Sequence, residues 1–432
     1  MSGLAKYLLE EGYEVSGSDI QDSKYIDALR KLGAKVYIGH DANNVPSDAT
    51  VVLSTAIRNS NPEYLRAIEL GLKIYHRSDL LRAIAQNAQN KSKCFIGFSG
   101  THGKTTTSGL ASYLLDKAGF KPSFVDGGIV PEIYTNAQHK NGRYFIAELD
   151  ESDGTIVKYN PDILVINNLE EDHLDYYKNG LDDLIKTFNI AVGNSKKVII
   201  NADNAGVLRL SGNFITFAIN NKADYMAKNI YYSNNGTEFD VFYNEKFLTN
   251  IRIQITGVHN VYNTLAVISA LNESGVEIEK IKPYFYSFSG MGRRFQKICE
   301  FSGISVYDDY AHHPTEIKAA LQAASQKFGK ENVVAVFQPH RYTRLKALWE
   351  DFKTSFENAE RIIITDVYAA SEDEIEGINS YNFSSELKGS EYLSGNMEEV
   401  AIKLKPTLKS GDVVIGLGAG TITELGKYLG RE

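Results

Sequence analysis

Gly100, Gly103, Lys104 and Thr105 stand in the stretch GFSGTHGKTTTSGL, residues 97–110, at a spacing that can hold a phosphate. Glycines let a backbone curl so that several N–H groups converge on one anion. A helix that starts at the same point adds partial positive charge. A lysine there can reach the outer phosphates of a nucleotide, and a threonine hydroxyl can bind Mg2+. The common spelling G-x-x-x-x-G-K-[ST] asks for glycine at position 98, where the chain has Phe98; Gly100 supplies the flexible point instead. The apolar run FIGFSG reads as a strand and KTTTSGLASYLLDKAG as a helix. Strand, glycine loop and helix in that order separate a phosphate loop from a strand-to-helix turn with a chance Lys-Thr.

Other residues have chemistry to offer. Glu148 ends the strand-like run RYFIAEL and His173 follows ILVINN in an EEDH turn. A carboxylate and an imidazole from neighbouring strand ends can share a divalent cation; taken singly they read as a surface carboxylate and a polar turn histidine. Asn260 and Asn263, three apart at a helix start, share a face, and Asn260 alone would be an N-cap. His340, Arg341 and Arg344 lie just beyond the strand VVAVFQ. Two arginines three apart can clamp a carboxylate, or form a solvated basic face.

These residues need elements to position them. Strand-like runs alternate with helical patterns through most of the chain, which reads as α/β with largely parallel sheets. At roughly 100–200 residues per domain, 432 residues imply two to four domains. We read three: residues 1–90, a Rossmann-like unit; 91–282, a central phosphate-loop sheet; and 283–432, a second Rossmann-like unit. The aromatic stretch NIYYSNNGTEFDVFYNEKFLTNIRIQITG, with Asn235-Gly236 as a hairpin signal, reads as a small antiparallel appendage on the central domain. The chain opens on a helix, MSGLAKYLLEEGY, where a Rossmann unit should open with a strand and a glycine loop. The expectation is that both are largely missing, leaving that helix poorly placed to bury its apolar side.

A net charge of −8 argues against a nucleic-acid partner. No apolar run is long enough to span a membrane. Two cysteines without metal-type spacing, Cys94 and Cys299, fit a reducing cytoplasm. Oligomeric state is not legible.

From GTHGKTTT onward the sequence resembles the Mur ligase family. AELDESDG (147–154), NNLEEDHLDYY (167–177), GVHNVYNTLAV (257–267), GMGRRFQ (290–296), DDYAHHPTE (308–316), FQPHRYTR (337–344) and GLGAGTI (416–422) carry the resemblance over nearly the whole chain. In order and spacing they resemble the branch that adds alanine. The opening Met-Ser-Gly-Leu-Ala resembles the end of that branch's N-terminal glycine loop. The resemblance implies an ATP-dependent amide ligase that joins L-alanine to the lactyl carboxylate of UDP-N-acetylmuramate through an acyl phosphate, with Mg2+, in cell-wall precursor synthesis. It implies that Gly100, Thr101, Gly103, Lys104, Thr105 and Thr106 hold ATP phosphates, with Asn260 and Asn263 at the adenine and Asp309 at the ribose. Arg294 would touch the transferring phosphoryl group, leaving Arg293 structural. Thr105, Glu148 and His173 would hold Mg2+, Glu151 being the less favoured ligand of its stretch. Ser54, Thr55, Ala56 and Arg77 would line the UDP-sugar pocket with His102, Asp150 and Ser152, while His340, Arg341 and Arg344 would take the amino acid. Lys186, His312 and His313 receive no firm role. The rival readings are a ligase attaching a whole tripeptide to the same sugar nucleotide and a non-ligase nucleotide-binding regulator.

Overall fold

The computed structural model describes every residue except 172–175, 234–235, 256, 294, 371 and 432. The predicted sites His173 and Arg294 and the turn residue Asn235 therefore lie outside the described residues. The chain divides into two compact units. One comprises Met1–Ile230, Phe239–Ile251 and Tyr262–Phe288; the other comprises Tyr231–Glu238, Arg252–Val261 and Ser289–Glu432.

The chain begins with α1 (Ser2–Glu11), β1 (Ser16–Asp19), α2 (Lys24–Lys31) and β2 (Lys35–Ile38), followed by β3 (Val51–Leu53), α3 (Pro62–Glu69), β4 (Ile74–His76) and α4 (Arg77–Asn90). β1 pairs with β2 and β3 with β4, both parallel, as two separate two-stranded sheets. The alternation of strand and helix is as read from the sequence; one continuous doubly wound sheet is not formed here. α1 is not stranded, contrary to expectation. It packs on a strand pair of the central sheet, with Tyr7 stacked on His139 at 5.1 Å and set edge-on to Phe145 at 5.9 Å.

That central sheet contains β5 (Cys94–Ser99), β6 (Ser123–Val130), β7 (Thr135–Gln138), β8 (Tyr144–Glu148), β9 (Ile163–Ile166), β10 (Lys197–Asn201), β11 (Ile215–Ala218), β12 (Tyr225–Ser233), β13 (Gly236–Tyr243) and β14 (Lys246–Ile253). Its order is β14-β13-β12-β11-β10-β9-β5-β8-β6-β7. Pairings from β6 through β8, β5, β9, β10 and β11 to β12 are parallel, while β7 is antiparallel to β6. The aromatic stretch is thus no separate appendage: its strands continue the central sheet, because β12 finds a parallel partner in β11.

Helix α5 (Lys104–Lys117) follows β5, and residues Thr106–Leu115 are buried along it. A helix buried all round must satisfy its polar side chains internally. Thr107 Oγ1 donates back to the Gly103 carbonyl at 2.9 Å, and Tyr113 meets Ser287 at 2.7 Å. Further on come α6 (Leu181–Gly193), α7 (Val258–Glu273) and α8 (Ile278–Ile281). α7 starts at Val258, so Asn260 lies inside the helix and is not its N-cap.

The second unit holds β15 (Gln296–Phe301), β16 (Ile304–Asp309), α9 (Pro314–Phe328), β17 (Val333–Phe337), α10 (Tyr342–Ala347), β18 (Arg361–Thr365), β19 (Ser390–Leu393) and β20 (Val413–Leu417). The sheet order is β15-β16-β20-β17-β18-β19, parallel except for β15. One apolar cluster, with Ile317, Leu321 and Phe337, covers one face, and another, with Val336, Val400 and Leu404, covers the other.

Tyr7 is only 2% exposed. Tyr7→Ala should cost about 3 kcal/mol by removing the aromatic anchor of α1. Denaturant unfolding of the substituted chain checks this; a loss below about 1 kcal/mol would mean that α1 is not held through this ring.

Candidate functional site

β5 has β8 on one side and β9 on the other. The chain leaves β5 through α5 toward β6, yet crosses β5 when it passes from β8 to β9. Connections departing in opposite directions open a crevice beyond the strands' C-terminal ends, where ligands of such sheets gather. Gly100, Lys104 and Glu148 all lie at that edge.

The loop from Ser99 to Lys104 is held from outside by the chain after β9. Thr101 N donates to the Asn168 carbonyl, His102 N to Asn168 Oδ1 at 2.7 Å, and Glu170 N to Thr101 Oγ1 at 2.9 Å. Gly100 (φ 122) and Gly103 (φ 85) occupy left-handed backbone. A Cβ on Gly100 would lie 2.8 Å from the Asn168 carbonyl oxygen, and one on Gly103 would lie 2.5 Å from Asn263 Oδ1. Both positions therefore admit only bare backbone, because neighbouring protein atoms stand against them. Thr105 and Thr106 begin α5, and Asn263, buried on α7, borders the loop.

Lys104, though it leaves a loop, is largely buried. Its side chain is 13% exposed and its Nζ donates to the carbonyls of Gly100 (2.8 Å) and Thr101 (3.1 Å) and to Glu151 Oε1 (2.8 Å). Burial disfavours its ammonium, but the carboxylates of Glu151, Asp150 and Glu148 outweigh that and hold its pKa above the usual lysine value. Glu151, passed over as a ligand, is thus the direct partner of the loop lysine.

A cleft of about 240 Å³ lies beside the loop, lined by Met1, Tyr25, Arg77, Asp126, Gly127, Asn136, Glu148, Asp150 and Tyr159 among others. Arg77 begins α4 and binds Asp150 Oδ2 at 2.6 Å. Burial alone would raise the Asp150 carboxyl, but Lys104 and Arg77 hold it below the usual range. Ser152 N donates to Asp150 Oδ1. Glu148 Oε2 accepts from Gly127 N at 3.1 Å. Asp126, unnoticed in the sequence, faces the same cleft. Burial pushes its carboxyl well above the usual range, opposed by the hydroxyls of Ser112 and Ser108. Ser54, Thr55 and Ala56 form the turn after β3, with Thr55 and Ala56 exposed; they do not line this cleft. Lys186 is exposed on α6 and pairs with Asp183.

The second unit gathers its own cluster at the C-terminal ends of β16, β17 and β20. Asp309 accepts from Phe295 N and Ala311 N, both at 2.8 Å. Arg293 is engaged by the protein itself. Its guanidinium donates to Asp308 and the Gly418 carbonyl and lies 4.8 Å over the Tyr310 ring. His313 caps α9 by accepting from Thr315 N. The His340 ring stacks on Tyr368 at 5.6 Å and meets His312 edge-on at 5.8 Å; its Nδ1 lies 3.1 Å from Arg344 Nη1. Arg341 N donates to the Tyr368 carbonyl, which fixes the turn into α10. His312, His340 and Arg344 are thus brought together, with Arg341 in the adjoining turn. Asn260, on α7, lies 3.1 Å from the His259 ring.

Two outcomes test this geometry. Gly103→Ala should weaken nucleotide binding at least about tenfold while the chain still folds, because the new methyl collides inside the cradle and φ is unfavourable. Calorimetric titration with ATP reads this, and unchanged affinity would exclude the loop. Burial first, then Arg344, His312, Arg341 and Arg293, push the His340 imidazolium down to about 3. The folded chain thus refuses a proton that the unfolded chain accepts below about 6.5. Stability should fall as pH drops from about 6.5 toward that lowered value, by no more than ~1.4 kcal/mol per pH unit from this group. His340→Gln should lessen the fall in matched denaturant series; equal falls would rule out this contribution.

Three family profiles match the chain in succession: the "Mur ligase family, catalytic domain" over residues 1–89, the "Mur ligase middle domain" over 98–271 and the "Mur ligase, glutamate ligase domain" over 293–420. The UDP-N-acetylmuramate–L-alanine ligase of Caldanaerobacter subterraneus subsp. tengcongensis is 39% identical over 437 residues, covering 99% of this chain and 94% of that protein. The crystal structure of the Thermotoga maritima UDP-N-acetylmuramate–alanine ligase superposes with a TM-score of 0.85 at 27% identity, over 99% of this chain and 95% of that one. A murein peptide ligase from Psychrobacter arcticus shares the fold, with a TM-score of 0.74 at 22% identity over 100% of this chain and 97% of that one. The α/β architecture is the three-domain one of these enzymes, and the chain belongs to the Mur ligase family.

Proposed function

We propose that this chain is an ATP-dependent ligase joining L-alanine to the lactyl carboxylate of UDP-N-acetylmuramate, in the cytoplasm, as a step of peptidoglycan precursor synthesis. The observation that carries the reading is the bare-backbone cradle at Gly100 and Gly103, with Lys104 at its mouth, in a chain 39% identical over 99% of its length to an enzyme of that name. Among the described residues no helix is long and apolar enough to cross a membrane.

The chemistry has two steps. A lactyl carboxylate oxygen attacks the γ-phosphorus of ATP, the bond to the β-γ bridging oxygen breaks, and ADP leaves. The amine of L-alanine then attacks the acyl phosphate carbon, loses its proton, and expels inorganic phosphate. Neither step needs a protein nucleophile; both need partners held in place and charge neutralised. Loop N–H groups and Lys104 would take the phosphate oxygens, with Thr101 and Thr106 beside them. Thr105, Glu148 and His173 would hold Mg2+, whose oxygen preference suits the hydroxyl and carboxylate and which supplies charge neutralisation at the phosphoryl oxygens when bound. Asn260, Asn263 and Asp309 would bind the nucleoside, and Arg294 would reach the transferring group. Arg77, Asp150 and Ser152, with His102 and the turn Ser54–Ala56, would take the sugar nucleotide. His340, Arg341 and Arg344 would take the alanine carboxylate. Boundaries near residues 90 and 282 would separate the three domains.

Phosphate release in the presence of ATP, Mg2+ and UDP-N-acetylmuramate should depend on L-alanine. Release that ignores alanine but responds to a whole tripeptide would replace this reading with the recycling one. Glu148→Gln should lower kcat about 10²–10³-fold. Arg344→Ala should raise the KM for alanine at least about tenfold with little change for ATP, since it removes half of a carboxylate clamp. Equal effects on both substrates would move Arg344 out of the amino-acid site.

A further inference from the structure

The second unit holds a pocket of about 390 Å³ that is lined by none of the residues that would hold ATP, the sugar nucleotide or alanine. Asp366 follows β18, Glu374 comes from the loop beyond it, Tyr342 opens α10, Ser380 and Tyr381 open the helix Ser380–Glu386, and Tyr392 lies in β19. The pocket thus sits past the C-terminal end of β18, the side of such sheets where ligands gather, and its volume is that of a small-molecule site. The Tyr392 hydroxyl donates to Asp366 Oδ1 and Gly395 N donates to Asp366 Oδ2 at 2.8 Å, which orients that carboxylate without neutralising it. The Tyr342 hydroxyl lies 3.5 Å from Glu374 Oε1. Among the described residues no lysine, arginine or histidine pairs with Asp366 or Glu374. Ser380 adds an independent signal. It is 2% exposed, and its enclosed hydroxyl makes no hydrogen bond among the described residues. Buried polar groups nearly always find a partner, so a hydroxyl of this kind in the wall of an acidic pocket points to a donor that the chain does not supply. Tyr381 and Tyr392 meet edge-on at 5.8 Å, and tyrosine ring faces attract cations and cover carbon chains. Among the described residues no three acidic, histidine or cysteine side chains converge on a metal position, so the chemistry favours an organic cation. We propose that this pocket binds a small aliphatic diamine. Its two ammonium groups answer the two carboxylates, its carbon chain lies along the tyrosine rings, and Ser380 Oγ accepts one further N–H.

The test is calorimetric titration of the full chain with 1,4-diaminobutane, beside its uncharged analogue 1,4-butanediol. The diamine should bind with a dissociation constant below about 1 mM, the diol at least about tenfold more weakly, and Mg2+ at the diamine's concentration should not displace it. Glu374→Gln removes one charge at an exposed position and keeps the shape; it should weaken diamine binding about tenfold. Ser380→Ala removes the enclosed hydroxyl without unpairing another group and should weaken it about threefold. Glu376→Gln, on the same acidic loop but outside the pocket, should leave it unchanged. No binding of the diamine, equal binding of the diol or displacement by Mg2+ would overturn the proposal. Unchanged binding by folded Glu374→Gln or Ser380→Ala would do so too, and a loss with Glu376→Gln equal to that with Glu374→Gln would reduce the pocket to a diffuse acidic surface and overturn it as well.

Discussion

The position of β5 between β8 and β9 is the constraint on which the rest of the first unit depends. A strand with parallel partners on both sides must send its own crossover one way while the chain returns on the other. In the gap so created, backbone N–H groups, a helix N-terminus and two neighbouring strand ends converge. The residues after β9 then close over the loop with Asn168 and Glu170, so the loop's shape is held by tertiary bonds as well as by its glycines.

A buried cation follows from that placement. Because α5 is enclosed along most of its length, the lysine at its start is drawn out of water, and an ammonium there requires partners. Carboxylates from the end of β8 and the segment after it supply them: Glu151 in contact, Asp150 and Glu148 through space. The same segment binds Arg77 at the start of α4, so the phosphate loop and the cleft beside it share one electrostatic network. In the second unit the balance is reversed. Burial, and then the charges of Arg344, His312, Arg341 and Arg293, keep the His340 imidazole neutral.

Parts of the fold were plain in the sequence and parts were not. Apolar runs such as FIGFSG, ILVINN and VVAVFQ read as central strands because burial on both faces leaves continuous hydrophobic stretches. The reading passes over β6, whose SFVDGGIV is interrupted by an aspartate and two glycines, and over β7, whose TNAQ holds no strong strand former. It also passes over β15 and β19, short edge strands with partly exposed faces. Those strands form because a neighbouring edge is available to pair with, which is a property of the sheet and not of the segment. α1 shows the same thing: nothing in its ten residues names His139 and Phe145 as the surface for Tyr7.

Local rules explain what the sequence determined by itself. Glycine spacing, a strand before and a helix after identify a phosphate loop, because backbone freedom and helix polarity act over a few residues. A string of short motifs, in order along the chain, is enough to point to the Mur ligases. Tertiary structure alone decided what those residues touch. The partner of Lys104 lies 47 positions away. Gly103 admits no side chain because Asn263 stands against it, and Asp126 enters the cleft because β6 lies next to β8. Such pairings depend on which strands neighbour each other, and that order is set by the whole core rather than by any one segment.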